Sequence, residues 1–387
     1  MKKILFVVNN LKTGGIQISL LNLLSEIKDD YEITLMVFSC NNEEKILVPD
    51  GVKLITAGFP FRQFGLSKKE VCGNPWLFFE RAILYVITRF CGRTFAVKLI
   101  LPFQKRIKGY DCAISYVHEA AQNSMNGGCN EFVLKKVEAE RKITWLHCDF
   151  ELCGANNKKS YGIYKQFDNI VACSEGTRNT FIKCMPELAH KTVSIRNCHD
   201  YDRIKSLARE HVEYGNDSFN IVTVARLSAE KGIDRALEAV AYCKSRGEKI
   251  RYHIVGEGIE RAYLEKKVSQ LSLENDVVFY GNQANPYEYM VGSDLLLLTS
   301  YHEAAPMVFD EAACLGVPVL TTATTSAEEM VGACGHGFVC ENNQEAINKA
   351  LLDVLVNRER LETVRATLRS SSFDNSEKIR RFNELVC

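Results

Sequence analysis

Short apolar, β-branched runs alternate along the whole chain with stretches whose apolar positions recur every three or four residues. In the first half the runs are Ile4–Val8, Ile33–Phe38, Val52–Ile55, Cys112–Tyr116, Ile143–Leu146, Ile170–Cys173 and Val193–Ile195, with helical periodicity over Ile16–Ile27 and Glu175–Cys184. A polar, charged stretch from Asn197 to Ser218 breaks this rhythm. The pattern then restarts with strands expected at Asn220–Ala225, Arg251–Val255, Val277–Tyr280, Leu295–Leu298 and Val317–Leu320. Helices are expected at Gly232–Ser245, Ile259–Ser272, Pro306–Leu315, Asn343–Leu368 and Ser376–Val386. Apolar runs that alternate with amphipathic helices are the mark of parallel sheets covered on both faces. The expectation is therefore α/β: two doubly wound, Rossmann-like domains facing across a cleft, with loops at the strands' C-terminal ends presented to a ligand. Residues 1–197 form the first domain, 198–218 a linker and 219–370 the second domain. Residues 371–387 carry a last helix expected to pack back on the first domain.

Composition adds little to this picture but removes several alternatives. The 387 residues suffice for two cores, and 46% hydrophobic with 25% charged residues is ordinary for a globular protein. Met1-Lys2-Lys3 followed by a short apolar run opens like a signal peptide. No small-residue cleavage site follows, so a buried first strand and a cytoplasmic location are expected. Fifteen cysteines, many inside apolar runs, suit a reducing compartment better than a disulfide framework. His147, Cys148, Asp149 and Cys153 cluster in sequence, but no paired C-x-x-C unit supports a metal site there, and none is expected. The zero net charge conceals an asymmetry: residues 1–197 hold 27 Lys/Arg against 19 Asp/Glu, and the remainder 21 against 29. The basic excess lies almost entirely between Arg62 and Lys108.

Three segments carry candidate chemistry. The first strand runs through Asn9-Asn10-Leu11-Lys12-Thr13 into Gly14-Gly15 and a helix, where glycines permit close backbone approach and helix N–H groups suit phosphate. The spacing is not the G-x-G-x-x-G of a dinucleotide site, and glycine pairs also simply end strands. The second domain opens with Val222-Thr223-Val224-Ala225, then Arg226, and Lys231 at the next helix start. Two cations at a strand edge suit a diphosphate leaving group, although a solvated loop carries such charges too. Most telling is Ser300-Tyr301-His302-Glu303-Ala304-Ala305-Pro306-Met307-Val308-Phe309-Asp310-Glu311. Pro306 fits a helix's first turn, Glu303 falls in the loop before it, and Glu311 about two turns further on. Carboxylates so placed can accept hydrogen bonds from sugar hydroxyls while the helix N-terminus faces phosphate.

Together these segments resemble glycosyltransferase family four, a large retaining family of GT-B fold. The glycine-rich first loop, the Arg…Lys pair, Gly256-Glu257-Gly258, two glutamates with seven-residue spacing and the following Gly316-Val317-Pro318-Val319 all appear in order. The resemblance covers essentially the whole chain. It implies that Arg226 and Lys231 bind the donor diphosphate, Glu311 the ribose hydroxyls and Glu303 the transferred sugar. Gly14 and Gly15 approach the phosphates, and Gly256, Glu257, Ala304, Ala305, Pro306 and Met307 complete the donor site. It also implies no cofactor and no divalent metal, UDP-sugar more often than GDP-sugar, and a glycan or lipid-linked saccharide acceptor in capsule or exopolysaccharide assembly. Where the family usually has glycine after the first glutamate, this chain has Ala304, and Ala305 stands where a bulkier residue is common; the donor sugar stays open. His118, following strand Cys112–Tyr116, is a further candidate for donor binding or charge stabilisation.

From Trp76 to Lys108, aromatic and aliphatic residues are interleaved with Arg81, Arg89, Arg93, Lys98, Lys105, Arg106 and Lys108. No run reaches the roughly 18 apolar residues of a membrane span. The stretch reads either as basic amphipathic helices lying on an anionic membrane surface, on the inner face of the cell membrane, or as two core helices with a charged outer face. With no recognition module and a pI near 7.0, nucleic acid is not an expected partner. Two other functions remain: a sugar-nucleotide epimerase of similar fold, and a catalytically silent GT-B binding module.

Overall fold

The computed structural model describes all residues except Thr13, His211, Gly215, Asn216 and Cys387, and describes Lys68 and Lys69 by backbone only. Thr13 of the first loop, and three positions of the expected linker, thus lie outside the described residues. The chain forms two units, Met1–Cys198 with Asn375–Cys387, and His199–Asp374.

The first unit is built on a seven-stranded sheet: β1 Lys3–Val8, β2 Glu32–Val37, β3 Lys53–Thr56, β4 Ile107–Ser115, β5 Val137–Leu146, β6 Asn169–Ala172 and β7 Thr192–Ser194. Their order is β3-β2-β1-β4-β5-β6-β7, parallel throughout. The order reverses beside β1, as in a doubly wound sheet. Alternation along β1 shows why the run is continuously apolar: Ile4, Phe6 and Val8 enter the core on one face, Leu5 and Val7 the core on the other. The helix Ser376–Val386 closes the first face, with Phe382 stacked on Phe6 at 6.2 Å and Tyr31 Oη donating to Asn383 at 2.9 Å.

The second unit holds a six-stranded parallel sheet: β8 Phe219–Val224, β9 Ile250–Val255, β10 Val277–Gly281, β11 Leu295–Leu298, β12 Val319–Thr322 and β13 Gly337–Cys340. Its order is β10-β9-β8-β11-β12-β13. Leu295 and Leu297 of β11 face one core, Leu296 and Leu298 the other.

Several elements differ from the sequence expectation. β4 and β5 begin about five residues early, through polar segments such as Val137-Glu138-Ala139-Glu140 that pair at the sheet's rim. The expected strand at Val317–Leu320 runs instead over Val319–Thr322, and β13 was not expected at all. The stretch Asn343–Leu368 is two helices, Gln344–Val356 and Arg358–Ser370, because Asn357 leaves the helical region at φ −95°, ψ 65°. The expected linker holds a helix, Tyr201–Leu207, capped by Asp200. Pro306 is not in a first turn; it is the extended residue (ψ 126°) before the helix Met307–Cys314.

Candidate functional site

In the second unit, the loops that leave β8 and β11 at their C-terminal ends are lashed together. Gly232, at φ +57°, lies so close to Thr299 that a Cβ would meet its carbonyl oxygen at 2.4 Å. Thr299 Oγ1 donates to Gly232 O at 2.7 Å, and Tyr301 N to Glu230 O at 2.9 Å. Arg235, at the start of the helix Ile233–Ser245, donates to Thr299 O at 2.6 and 3.1 Å and to Asn342 Oδ1 at 2.8 Å. Its guanidinium lies 4.1 Å over the Tyr301 ring.

This lashing brings Lys231 and Glu303 together although 72 positions separate them: Lys231 Nζ stands 2.5 Å from Glu303 Oε1. Ser300 Oγ donates to the same oxygen at 2.7 Å. The Arg226 side chain is 72% exposed and, among the described residues, reaches only Glu230, at 3.0 Å, so its guanidinium stands at the rim of the cluster. The glycines of Gly256-Glu257-Gly258 pack against the strand exit carrying Arg226. A Cβ at Gly256 would lie 1.9 Å from Ala225 O, and one at Gly258 2.0 Å from Leu227 O. Glu257 itself pairs with Arg261 at 3.0 Å.

Ala304 and Ala305 lead to Pro306 and the buried helix Met307–Cys314, whose N-terminus has no side-chain cap. Glu311 is buried in that helix, 3.5 Å from Tyr287 Oη. Burial, then the neighbouring Asp310 carboxylate, pushes its carboxyl up to about 7. Asp310 in turn lies 3.8 Å from His199 Nδ1, and His199 Nε2 meets Met307 O at 3.2 Å.

In the first unit, Gly14 caps the helix Gly15–Ile27 in an extended conformation, with the Gln17 side chain against it: a Cβ at Gly14 would lie 2.9 Å from Gln17 Oε1. Asn9 and Asn10 hold the neighbouring loops by donating to Gly127 O at 2.7 Å and Gly65 O at 3.0 Å. His118 follows β4 and His147 follows β5. Burial, with Arg93 nearby, pulls His118 down to about 4; burial and then His118 pull His147 down to about 3. Both imidazoles are therefore neutral at pH 7. Among the described residues, His118 Nδ1 and His147 Nε2 are buried without a hydrogen-bond partner, and the His147 ring lies 4.7 Å from that of Tyr116. Among the described residues no three His, Cys, Asp or Glu side chains are gathered as a metal would require. The Cys153 thiol donates to Phe150 O at 3.6 Å.

The sequence names Lys231, Glu303 and Glu311 as candidates, of which the structure brings Lys231 and Glu303 together; Ser300, Arg235, Thr299 and Tyr287, which touch these residues or the loop that bears them, were not among its candidates. The polarity of Thr299-Ser300 directly after four leucines was the available signal.

Two doubly wound units of this kind define the GT-B fold. Anabaena Alr3699/HepE in complex with UDP-glucose superposes over 99% of both chains with a TM-score of 0.70 at 18% identity. Residues 206–370 match the family described as glycosyl transferases group 1. The chain is similar to the uncharacterized glycosyltransferase MJ1059 of Methanocaldococcus jannaschii, 26% identical over 41% of this chain and 40% of that one. It is also similar to the N-acetylgalactosamine-N,N'-diacetylbacillosaminyl-diphospho-undecaprenol 4-alpha-N-acetylgalactosaminyltransferase of Campylobacter jejuni, 27% identical over 55% of this chain and 58% of that enzyme.

Proposed function

We propose that the protein is a retaining, metal-independent glycosyltransferase. It moves a sugar from a nucleoside diphosphate donor, uridine rather than guanosine, to a glycan or lipid-linked saccharide in surface-polysaccharide assembly, at the inner face of the cell membrane. The observation that carries the reading is the Lys231–Glu303–Ser300 cluster set between the glycine-lined exit of β8 and the uncapped helix N-terminus at Met307. Lys231, with Arg226, stabilises the charge developing on the departing diphosphate. Glu303 accepts hydrogen bonds from the transferred sugar, and Glu311 from the ribose hydroxyls. The departing phosphate takes the proton of the acceptor hydroxyl as the new glycosidic bond forms on the same face. The UDP-glucose named for the Anabaena structure supports the uridine donor, and the diphospho-undecaprenol in the Campylobacter enzyme's name supports a lipid-linked acceptor.

Thermal unfolding with UDP-sugars, GDP-sugars and ADP-sugars in the presence of a chelator tests this directly. Saturation at 100 times Kd adds about 2.7 kcal/mol for the cognate donor, and no stabilisation by any of them at millimolar concentration would sink the reading. The same assay has a predicted pH dependence, since a nucleoside diphosphate sugar has no phosphate titration near neutrality. The unliganded Glu311 carboxyl titrates near 7 and must be ionised to accept both ribose hydroxyls, so affinity should rise from pH 6 to 8 and level off above. Glu311→Gln should flatten this slope. Without ligand the sign is opposite: with a folded pKa raised from 4.5 to about 7, Glu311 contributes stability that is complete below 4.5 and lost as pH rises through 7.

His118 is a separate test. Being neutral, it acts as a hydrogen-bonding imidazole rather than a cation. His118→Ala should lower turnover about 100-fold in a folded protein, with partial recovery in His118→Gln. Turnover within a few-fold of wild type would remove His118 from the machinery.

A further inference from the structure

The helix Pro75–Cys91 is anchored firmly but turned the wrong way for a core helix. Asn74 Oδ1 accepts from Trp76 N and Leu77 N at 3.0 and 3.2 Å, and Gly92 ends the helix at φ +89°. Arg81 Nη1 donates to Gln63 O and Leu66 O at 2.9 and 2.8 Å. Within the helix only Leu84 and Thr88 are fully buried. On the opposite side stand Trp76, Phe79, Ile83, Val86 and Phe90, exposed by 76, 59, 46, 53 and 84%. Their spacing of three, four, three and four places them in one stripe about 21 Å long. Phe95, Leu99 and Phe103 of the following segment are also exposed. The outer face of this helix is apolar rather than charged, whereas the next helix, Arg93–Ile100, packs Ala96, Val97 and Ile100 into the core and leaves Lys98 exposed.

Charge identifies what covers the stripe. Residues 75–108 contain seven Lys/Arg and one acid, Glu80. Arg93 is buried, whereas Arg89, Lys98, Lys105 and Arg106 of the same segment are exposed. A second copy of the chain would bring these cations against their own kind, and two heptads are too short for a stable coiled coil. An anionic bilayer satisfies both features: phosphate headgroups meet the cations, and Trp and Phe settle at the headgroup–acyl boundary. Among the described residues no helix is long and apolar enough to cross a membrane, so the contact is interfacial.

We infer that the helix Pro75–Cys91 inserts its Trp76–Phe90 stripe into the surface of an anionic membrane, held there by the basic residues that follow. The inference deepens the membrane part of the proposed function and is independent of the donor chemistry.

The test uses the full chain with vesicles of phosphatidylcholine, alone or mixed with phosphatidylglycerol. Trp76 is a built-in reporter, since the other of the two tryptophans, Trp145, is 1% exposed. Anionic vesicles should sediment the protein and shift Trp76 emission to the blue, and neutral vesicles should do so far less. The double substitution Phe79→Asp/Phe90→Asp should lower the partition coefficient about tenfold or more, leaving the unfolding temperature and nucleotide binding unchanged. Binding of that variant at wild-type strength would overturn the inference by showing that cations alone suffice. Absence of sedimentation and of the Trp76 shift would overturn it too, and a dimer in light scattering would then assign the stripe to a second copy. Vesicle binding without nucleotide binding would leave this inference standing while defeating the donor reading; the reverse would defeat this one alone.

Discussion

Lys231→Ala is expected to lower kcat by about 10² to 10³ while leaving the protein folded. That is the loss typical when one preorganised electrostatic group is removed from a charge-developing transition state. Lys231 Nζ lies 2.5 Å from Glu303 Oε1 in the free protein, so a lysine that merely neutralises a carboxylate is the rival account. The two accounts part in a double-mutant cycle. If Lys231 serves only Glu303, Lys231→Ala adds nothing to Glu303→Ala. If it also meets the diphosphate, the double variant is slower than either, and Lys231→Ala loses affinity for UDP but little for uridine. Ser300 Oγ, at 2.7 Å from the same Glu303 oxygen, keeps the carboxylate partnered after the lysine is gone, which protects the fold. Activity within tenfold of wild type would exclude Lys231 from the chemistry.

Sequence alone carried the class of fold because burial on both faces writes itself as uninterrupted apolar runs. Ile4–Val8 and Leu295–Leu298 are each divided residue by residue between two cores. The runs failed as guides where a strand left that environment. β13 is half-buried along its length at the edge of its sheet, and its four residues begin with a glycine, so neither length nor pattern singles it out. The first half of β5 carries Glu138, Glu140 and Arg141, which point to a loop; the pairing of Tyr110 with Ala139 extends the ladder regardless.

The site divides in a similar way. Charged residues at strand exits are conspicuous, so Lys231, Glu303 and Glu311 stand out in the sequence as candidates. The groups that place them were not. Arg235 reads as the polar face of an amphipathic helix, yet it is buried and bonded to Thr299 O and Asn342 Oδ1, which fixes the loop bearing Glu303. Such contacts join positions more than sixty residues apart and leave no trace in local periodicity.

Arg93→Met should cost the first unit about 3–5 kcal/mol of stability. Arg93 and Glu119 form an ion pair with side chains 0% and 1% exposed, so removing the cation strands a carboxylate away from water. The guanidinium also donates to Ala120 O at 3.0 Å and Asn126 O at 2.9 Å, and Arg93 N to Gln122 O at 2.6 Å. The loop after β4 is thus wrapped around this one side chain. Gly127, at φ +125°, leaves it room, since a Cβ there would lie 2.8 Å from Arg93 Nε. Asn130 Nδ2 donates to the other Glu119 oxygen at 2.8 Å, and Asn130 Oδ1 accepts from Thr144 Oγ1 at 2.7 Å, tying the pair to β5. The measurement is urea unfolding followed by a probe in the first unit, where Arg93→Met should move the midpoint sharply down. Adding Glu119→Gln should restore part of the loss, because it removes the stranded charge. Arg93 also helps hold the His118 imidazole neutral, so His118 should titrate higher than about 4 in any Arg93 variant that folds. An Arg93→Met protein of wild-type stability would mean that the loop's backbone, not the ion pair, sets the position of His118.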